Sequence, residues 1–162
     1  MNLVLATGLK LAEVHMLRLA NIRWTDGPRL GHAIVRVPSH GTTAARDVPA
    51  SKQASGALAR WWVKRYLPPF EGDALFPGED LCSALSTAQI YRAVSGFLAD
   101  LSVAGGTSRG PQVLRNTFAL ERLAAGDDLA RVQELLGYRD EQQLGRLMVT
   151  AKARASGADR HD

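Results

Sequence analysis

Pro111-Gln-Val-Leu-Arg-Asn-Thr-Phe-Ala119 and Gly126-Asp-Asp-Leu-Ala-Arg-Val-Gln-Glu-Leu-Leu-Gly-Tyr138 decide the fold class. The first stretch opens a helix expected over 112–125, with Gly126 as its stop, because glycine accepts the left-handed conformation that ends helices. In the second, Asp127 or Asp128 supplies a capping carboxylate, Leu129, Val132, Leu135 and Leu136 recur at helical spacing, and Gly137 closes the turn. Upstream, Ser86-Thr-Ala-Gln89 forms a capping box ahead of Ile90, Val94, Phe97, Leu98 and Leu101, with Gly105-Gly106 as the expected end. A helix over 51–67 is closed by Pro68-Pro69. Another is expected over 9–19, where Leu11, Val14 and Leu17 share a face. Between them lie strand candidates at 21–24, 33–38 and 46–49, the last two joined by Ser39-His-Gly-Thr-Thr43 as a hairpin. A final helix is expected over 141–152, and a flexible tail over 153–162. The sum is a mainly α domain with one small antiparallel β-sheet, an α+β arrangement.

A chain of 162 residues fits one domain able to bury a core without covalent staples. Hydrophobic residues make up 46% and charged residues 22%, which argues against disorder and against a coiled-coil rod. No apolar run approaches the ~20 residues of a membrane span, so an integral membrane protein is excluded on this reading. The start lacks the basic opening of a secretory leader, and the single cysteine, Cys82, rules out an internal disulfide framework and a cysteine zinc cluster. Both point to a reducing, cytoplasmic setting. No cluster of metal-ligating residues, no glycine-rich phosphate loop and no Ser-His-Asp order stands out.

The net charge of +4 is unevenly spread. Residues 1–65 carry ten Lys or Arg against Glu13, Asp26 and Asp47, a local +7, and the remainder carries −3, with four acids in 71–80. A basic N-terminal stretch can face nucleic-acid phosphates or form an ordinary solvated surface, and charge counts of this size leave both open. Trp61-Trp62, Tyr66 and Tyr91 read as packing residues rather than a base-stacking platform.

Five fragments in order carry a resemblance: Ala6-Thr7-Gly8-Leu9-Lys10-Leu11-Ala12-Glu13, Arg46-Asp47-Val48-Pro49, Leu75-Phe76-Pro77 and the two stretches quoted at the outset. Together they resemble the catalytic domain of the tyrosine recombinases, the phage integrase family, whose pattern runs T-G-x-R-x-x-E, a hairpin bearing a Lys, R-x-V-P, L-F-P, H-x-L-R-H-T-F-A and L-G-H. The resemblance implies that family's fold over residues 1–152, without its N-terminal core-binding domain. It also implies a chemistry that uses no metal or other cofactor. A Tyr hydroxyl attacks a DNA phosphodiester and conserves the bond in a phosphotyrosyl link. Two Arg forks hold the non-bridging oxygens, and a Lys and His residues move protons.

This sequence departs from that pattern at most of those positions. Lys10 stands for the first Arg, which keeps the charge and loses the bidentate fork. His40 lies near the hairpin Lys, Gln112 and Asn116 replace two His, and Tyr138 occupies the L-G-H histidine position. Arg115 survives as the second Arg, and Glu13 is retained. The nucleophilic Tyr, about nine residues past that histidine in the motif, falls on Leu147, and no Tyr follows Tyr138.

The resemblance with these losses implies an integrase-like protein of DNA integration or recombination that binds double-stranded DNA without cutting it. Its expected DNA contacts are Lys10, Arg36, His40, Arg46, Arg115 and Arg139, with a full-length recombinase, or another copy docked through the C-terminal segment, as possible protein partner. For Arg115 two readings stand, a phosphate contact or an ion pair with an acid such as Glu13. For His40, Gln112 and Asn116 the alternatives are an exposed turn residue and hydrogen-bonding groups at a helix start. Two further functions stay open: an active strand transferase using Tyr138 or a nucleophile from another protomer, and a protein–protein module that regulates a recombinase.

Overall fold

Helix ends in this chain have identifiable chemical causes. In the computed structural model, which describes residues 2–41, 43–100, 110–138 and Gly145, the first element is α1 (Asn2–Thr7). It stops at Gly8, whose φ of +60° is left-handed. A side chain there is excluded twice over, since a Cβ would lie 2.6 Å from Phe118 Cδ1 and 2.7 Å from Leu136 Cδ2. The chain restarts as α2 (Leu11–Met16), where the Glu13 carboxylate accepts the Lys10 N–H at 2.7 Å. The helix expected over 9–19 is shorter, α2 alone, and is followed by a 3-10 turn at Leu19–Asn21, while α1 ahead of Gly8 is absent from the sequence reading.

Three strands follow, β1 (Ile22–Trp24), β2 (Ala33–Val37) and β3 (Arg46–Pro49), forming an antiparallel sheet in that order. The hairpin expected over 33–49 is present, with Val35 opposite Val48 and Arg36 opposite Asp47. At its tip His40 and Thr43 exchange backbone hydrogen bonds. Strand alternation puts Ile22, Ala33, Val35, Val37 and Val48 into the core, and Arg23, Arg36 and Asp47 outward. Between β1 and β2 lies a one-turn helix absent from the sequence reading, α3 (Gly27–Leu30), which follows Asp26 and has Pro28 in its first turn.

The longer helices hold to their signals. Ser51 Oγ accepts from the Ala54 N–H and opens α4 (Lys52–Arg65). The Ser86–Gln89 box forms in both directions ahead of α5 (Thr87–Asp100). Next come α6 (Gln112–Ala124) and α7 (Leu129–Leu136), the latter capped by Asp128, whose Oδ1 accepts the Arg131 N–H at 2.7 Å. At its far end Gly137 sits at φ +64°, with Tyr138 N–H on the Gln133 carbonyl and Gly137 N–H on Glu134, a Schellman closure. Gly105-Gly106, the tail and, apart from Gly145, the helix expected at 141–152 fall outside the described residues.

The core is a continuous apolar cluster shared by α1, α4, α6, α7 and the inner sheet face, with Leu9, Leu17, Leu75, Leu135 and Leu136 almost wholly enclosed. The acidic stretch after α4 is tied down by Arg65, 2% exposed, which donates to the carbonyls of Glu71, Gly72 and Ala74. Leu75 is pinned there through its backbone, its carbonyl taking the Trp61 Nε1–H and its N–H meeting the Leu17 carbonyl. Trp61 stacks on Phe76, but Tyr66 and Tyr91 are 62% and 50% exposed and do not pack inward as expected. Tyr91 lies at the edge of the α5 face that buries Ile90, Val94 and Leu98, and the Tyr66 ring lies 5.3 Å from that of Trp62. Among the described residues no helix is long and apolar enough to cross a membrane.

Candidate functional site

Two glycine turns, the hairpin and the start of α6 converge on one place. Gly8 brings the end of α1 against Phe118 and Leu136, and Gly137 brings the end of α7 against the hairpin. A Cβ on Gly137 would lie 2.7 Å from Thr43 Cγ2 and 2.9 Å from Arg46 Nη1, so only glycine permits this approach.

Arg115, in the first turn of α6, is 3% exposed. Its Nη1 donates to the Gly8 carbonyl, its Nη2 to the Leu136 carbonyl, and its Nε to the Tyr138 hydroxyl at 3.1 Å. The Tyr138 ring lies over the guanidinium, 4.5 Å from its carbon to the ring centre. The surviving Arg of the motif thus joins both glycine turns and lies beneath a tyrosine.

Glu13 pairs with Arg46, and not with Arg115. Its two carboxylate oxygens meet Arg46 Nη1 and Nη2 at 2.8 and 3.0 Å in a bidentate fork, with the two side chains 1% and 6% exposed. Arg46 Nε also donates to the Leu135 carbonyl at 2.7 Å. Burial by itself pushes the Glu13 carboxyl up. The Arg46 hydrogen bonds and charge, the Lys10 N–H and the more distant charge of Arg115 outweigh it, and hold the carboxyl below its ordinary value. The pair locks β3, α2 and α7 together, and leaves Arg46 enclosed at a position where the sequence reading places a DNA contact.

The remaining candidates lie nearer solvent. Lys10 is exposed, with its ammonium 3.4 Å from Thr43 Oγ1 near the hairpin tip. His40 is exposed at the tip, and Arg36 is exposed on the outer sheet face. Gln112 Nε2 donates to Asn116 Oδ1 one turn further along α6, so these two side chains engage each other. Arg139 and Leu147 lie outside the described residues. The structure therefore brings Lys10, Thr43, Glu13, Arg46, Arg115 and Tyr138 together, and leaves Arg36 on a separate face. Sequence reasoning missed Thr43 and the Glu13–Arg46 pair. The available signal was the alternation of β3, where Val48 faces inward and Arg46 shares its side. Among the described residues no group of three or more His, Cys, Asp or Glu is placed to hold a metal.

The model of the phage integrase family matches residues 1–151. The chain belongs to the phage integrase family. Curated phage integrase relatives include tyrosine recombinase XerD of Brucella abortus, 34% identical over 83% of this chain and 42% of its own length. Tyrosine recombinase XerC of Pseudomonas aeruginosa is 31% identical over 86% of this chain and 43% of its own. The chain thus spans less than half the length of these relatives. Among solved structures, XerA recombinase superposes with a TM-score of 0.78 at 22% identity, covering 99% of this chain and 57% of that one. The XerH recombinase in a post-cleavage complex with its difH substrate gives 0.76 at 23%, over 99% of this chain and 44% of that one. At such identities the structural likeness establishes the phage integrase fold, a helical domain with a small antiparallel sheet.

Proposed function

We propose that this domain serves site-specific recombination or DNA integration by holding duplex DNA, and that it does not cleave the strands. One contrast carries the reading: the positive charge near the hairpin tip is exposed on Lys10, while the guanidinium of Arg115 is enclosed against two carbonyls and a tyrosine. Surface cations suit phosphate attraction without chemistry. Cleavage would need donors pre-aimed at a phosphorane, and three of the five Arg115 N–H donors, Nε–H included, are engaged within the protein. Leucine at the nucleophile position of the motif and the Gln112–Asn116 pair at two histidine positions support the same reading. The DNA complex of the XerH relative supports a DNA partner.

An electrophoretic shift with duplex DNA across a salt series tests it. Binding at low salt is expected, and Lys10→Ala should lower the slope of log affinity against log salt by about one, as for one lost phosphate contact. No binding at low salt would refute the proposal.

A second reading is favoured by one observation, the Tyr138 hydroxyl beside Arg115 Nε. In that reading Tyr138 is the nucleophile of an active strand transferase. A nicked suicide duplex separates the two. A covalent protein–DNA adduct that disappears in Tyr138→Phe establishes cleavage by Tyr138, and its absence leaves the holding function.

A further inference from the structure

We infer that Tyr138 is a gate on Arg115: in the resting domain its phenol and ring occupy the guanidinium, and an oxyanion reaches Arg115 only when Tyr138 swings aside. The inference rests on the DNA-holding reading, whose phosphates would be the oxyanions concerned.

Three features support it. First, Arg115 is a buried cation with no carboxylate in ion-pair contact among the described residues, because Glu13 is engaged by Arg46. A buried charge with neutral partners alone is short of compensation, and an incoming anion would supply it. Second, the partners of Arg115 differ in kind. The Gly8 and Leu136 carbonyls belong to the backbone of two glycine-shaped turns and stay in place, whereas the Tyr138 hydroxyl is carried by a side chain. A neutral hydroxyl is a weaker acceptor for guanidinium than a phosphate oxygen, so exchange at Nε is downhill once phosphate is present. The two carbonyls hold the guanidinium still during the exchange. Third, access is blocked in the resting arrangement. Arg115 is 3% exposed and the Tyr138 ring covers its face, while Tyr138 is itself half-buried at the edge of the site. Three of the five N–H donors of a guanidinium are engaged, Nε–H among them, so a side-on grip through Nε and an Nη requires phosphate to displace the phenol.

Two measurements test the gate. In the first, inorganic phosphate is titrated into isotope-labelled protein while the Arg115 Nε–H resonance, assigned by its loss in Arg115→Lys, is followed by NMR. Tyr138→Leu is expected to reach half its shift at about tenfold less phosphate than the parent protein, because one charge-assisted hydrogen bond and one cation–π contact no longer have to be given up. Equal midpoints, or a weaker site in Tyr138→Leu, overturn the gate. In the second, duplex binding is followed by anisotropy. Tyr138→Leu should bind about tenfold more tightly, and Tyr138→Phe, which keeps the ring and serves if leucine disturbs the fold, about threefold. The gain must vanish in Arg115→Ala/Tyr138→Leu, and tighter binding that survives that replacement overturns the gate. If no protein binds duplex while the phosphate midpoints still differ tenfold, the DNA-holding reading fails and the gate holds. If all bind duplex with equal affinity and equal phosphate midpoints, the gate alone fails.

Discussion

Replacing Glu13 by alanine leaves the Arg46 guanidinium buried without its counter-charge. The structure sets the magnitude, since the pair is bidentate at 2.8 and 3.0 Å and its two side chains are 1% and 6% exposed. An exposed pair would be worth about 1 kcal/mol or less. Breaking a buried one from one side costs about 3–5 kcal/mol, because the partner charge stays behind in a low-dielectric site. For a domain of this size each kcal/mol moves the melting temperature by about 2–4 °C, so Glu13→Ala should melt about 6–20 °C below the parent protein at neutral pH. Arg46→Met added to it removes the stranded charge and should recover most of the loss. The same pair governs the acid limb. The Glu13 carboxyl is held below its ordinary value of 4.5 when folded, so the unfolded chain takes up the proton first as pH falls. The stabilisation is complete above that ordinary value and is lost as pH drops through the lowered one, and Glu13→Ala/Arg46→Met should lack this part of the decline. Thermal melts by far-UV circular dichroism between neutral and acid pH give both readings. A Glu13→Ala protein melting within about 2 °C of the parent, or a double variant no more stable than Glu13→Ala, would refute the reasoning.

Gly137→Ala should destabilise by at least about 1–3 kcal/mol, because the left-handed backbone is strained for alanine and the new methyl meets Thr43 and Arg46. Chemical denaturation would register it as a lowered midpoint with an unchanged slope. Asp128→Ala removes the α7 cap and should cost about 1 kcal/mol, read from the same curves. Arg65→Ala should lose about 1–3 kcal/mol by freeing the buried Ala74 carbonyl and the part-buried carbonyls of Glu71 and Gly72, with faster amide exchange at Leu75 as the local sign.

Much of the fold was legible because its signals are local. The Ser86–Gln89 box, the Asp128 cap, the Gly137 stop and the alternation of 33–37 each act within a few residues, and each formed as read. Thr7-Gly8 reads locally as the start of the next helix, and α1 before it is missed, because what makes Gly8 a close-packed turn, Phe118 and Leu136 filling the space beside it, lies far along the chain. The site was legible in part. The motif fragments picked out Lys10, Arg115 and Tyr138, but not what each would touch.

The sequence by itself determined the family, the order of the three strands and of the longer helices, and the position of the excess positive charge, since periodicity, caps and motif spacing are all written along the chain. Only the tertiary structure decided that Glu13 takes Arg46 as its partner, that Arg115 turns inward to two backbone carbonyls, and that Tyr138 covers it. These contacts join residues from 21 to 107 positions apart in the chain. Which buried cation gains the buried Glu13 carboxylate depends on burial and distance in the folded core, and neither is encoded in local spacing.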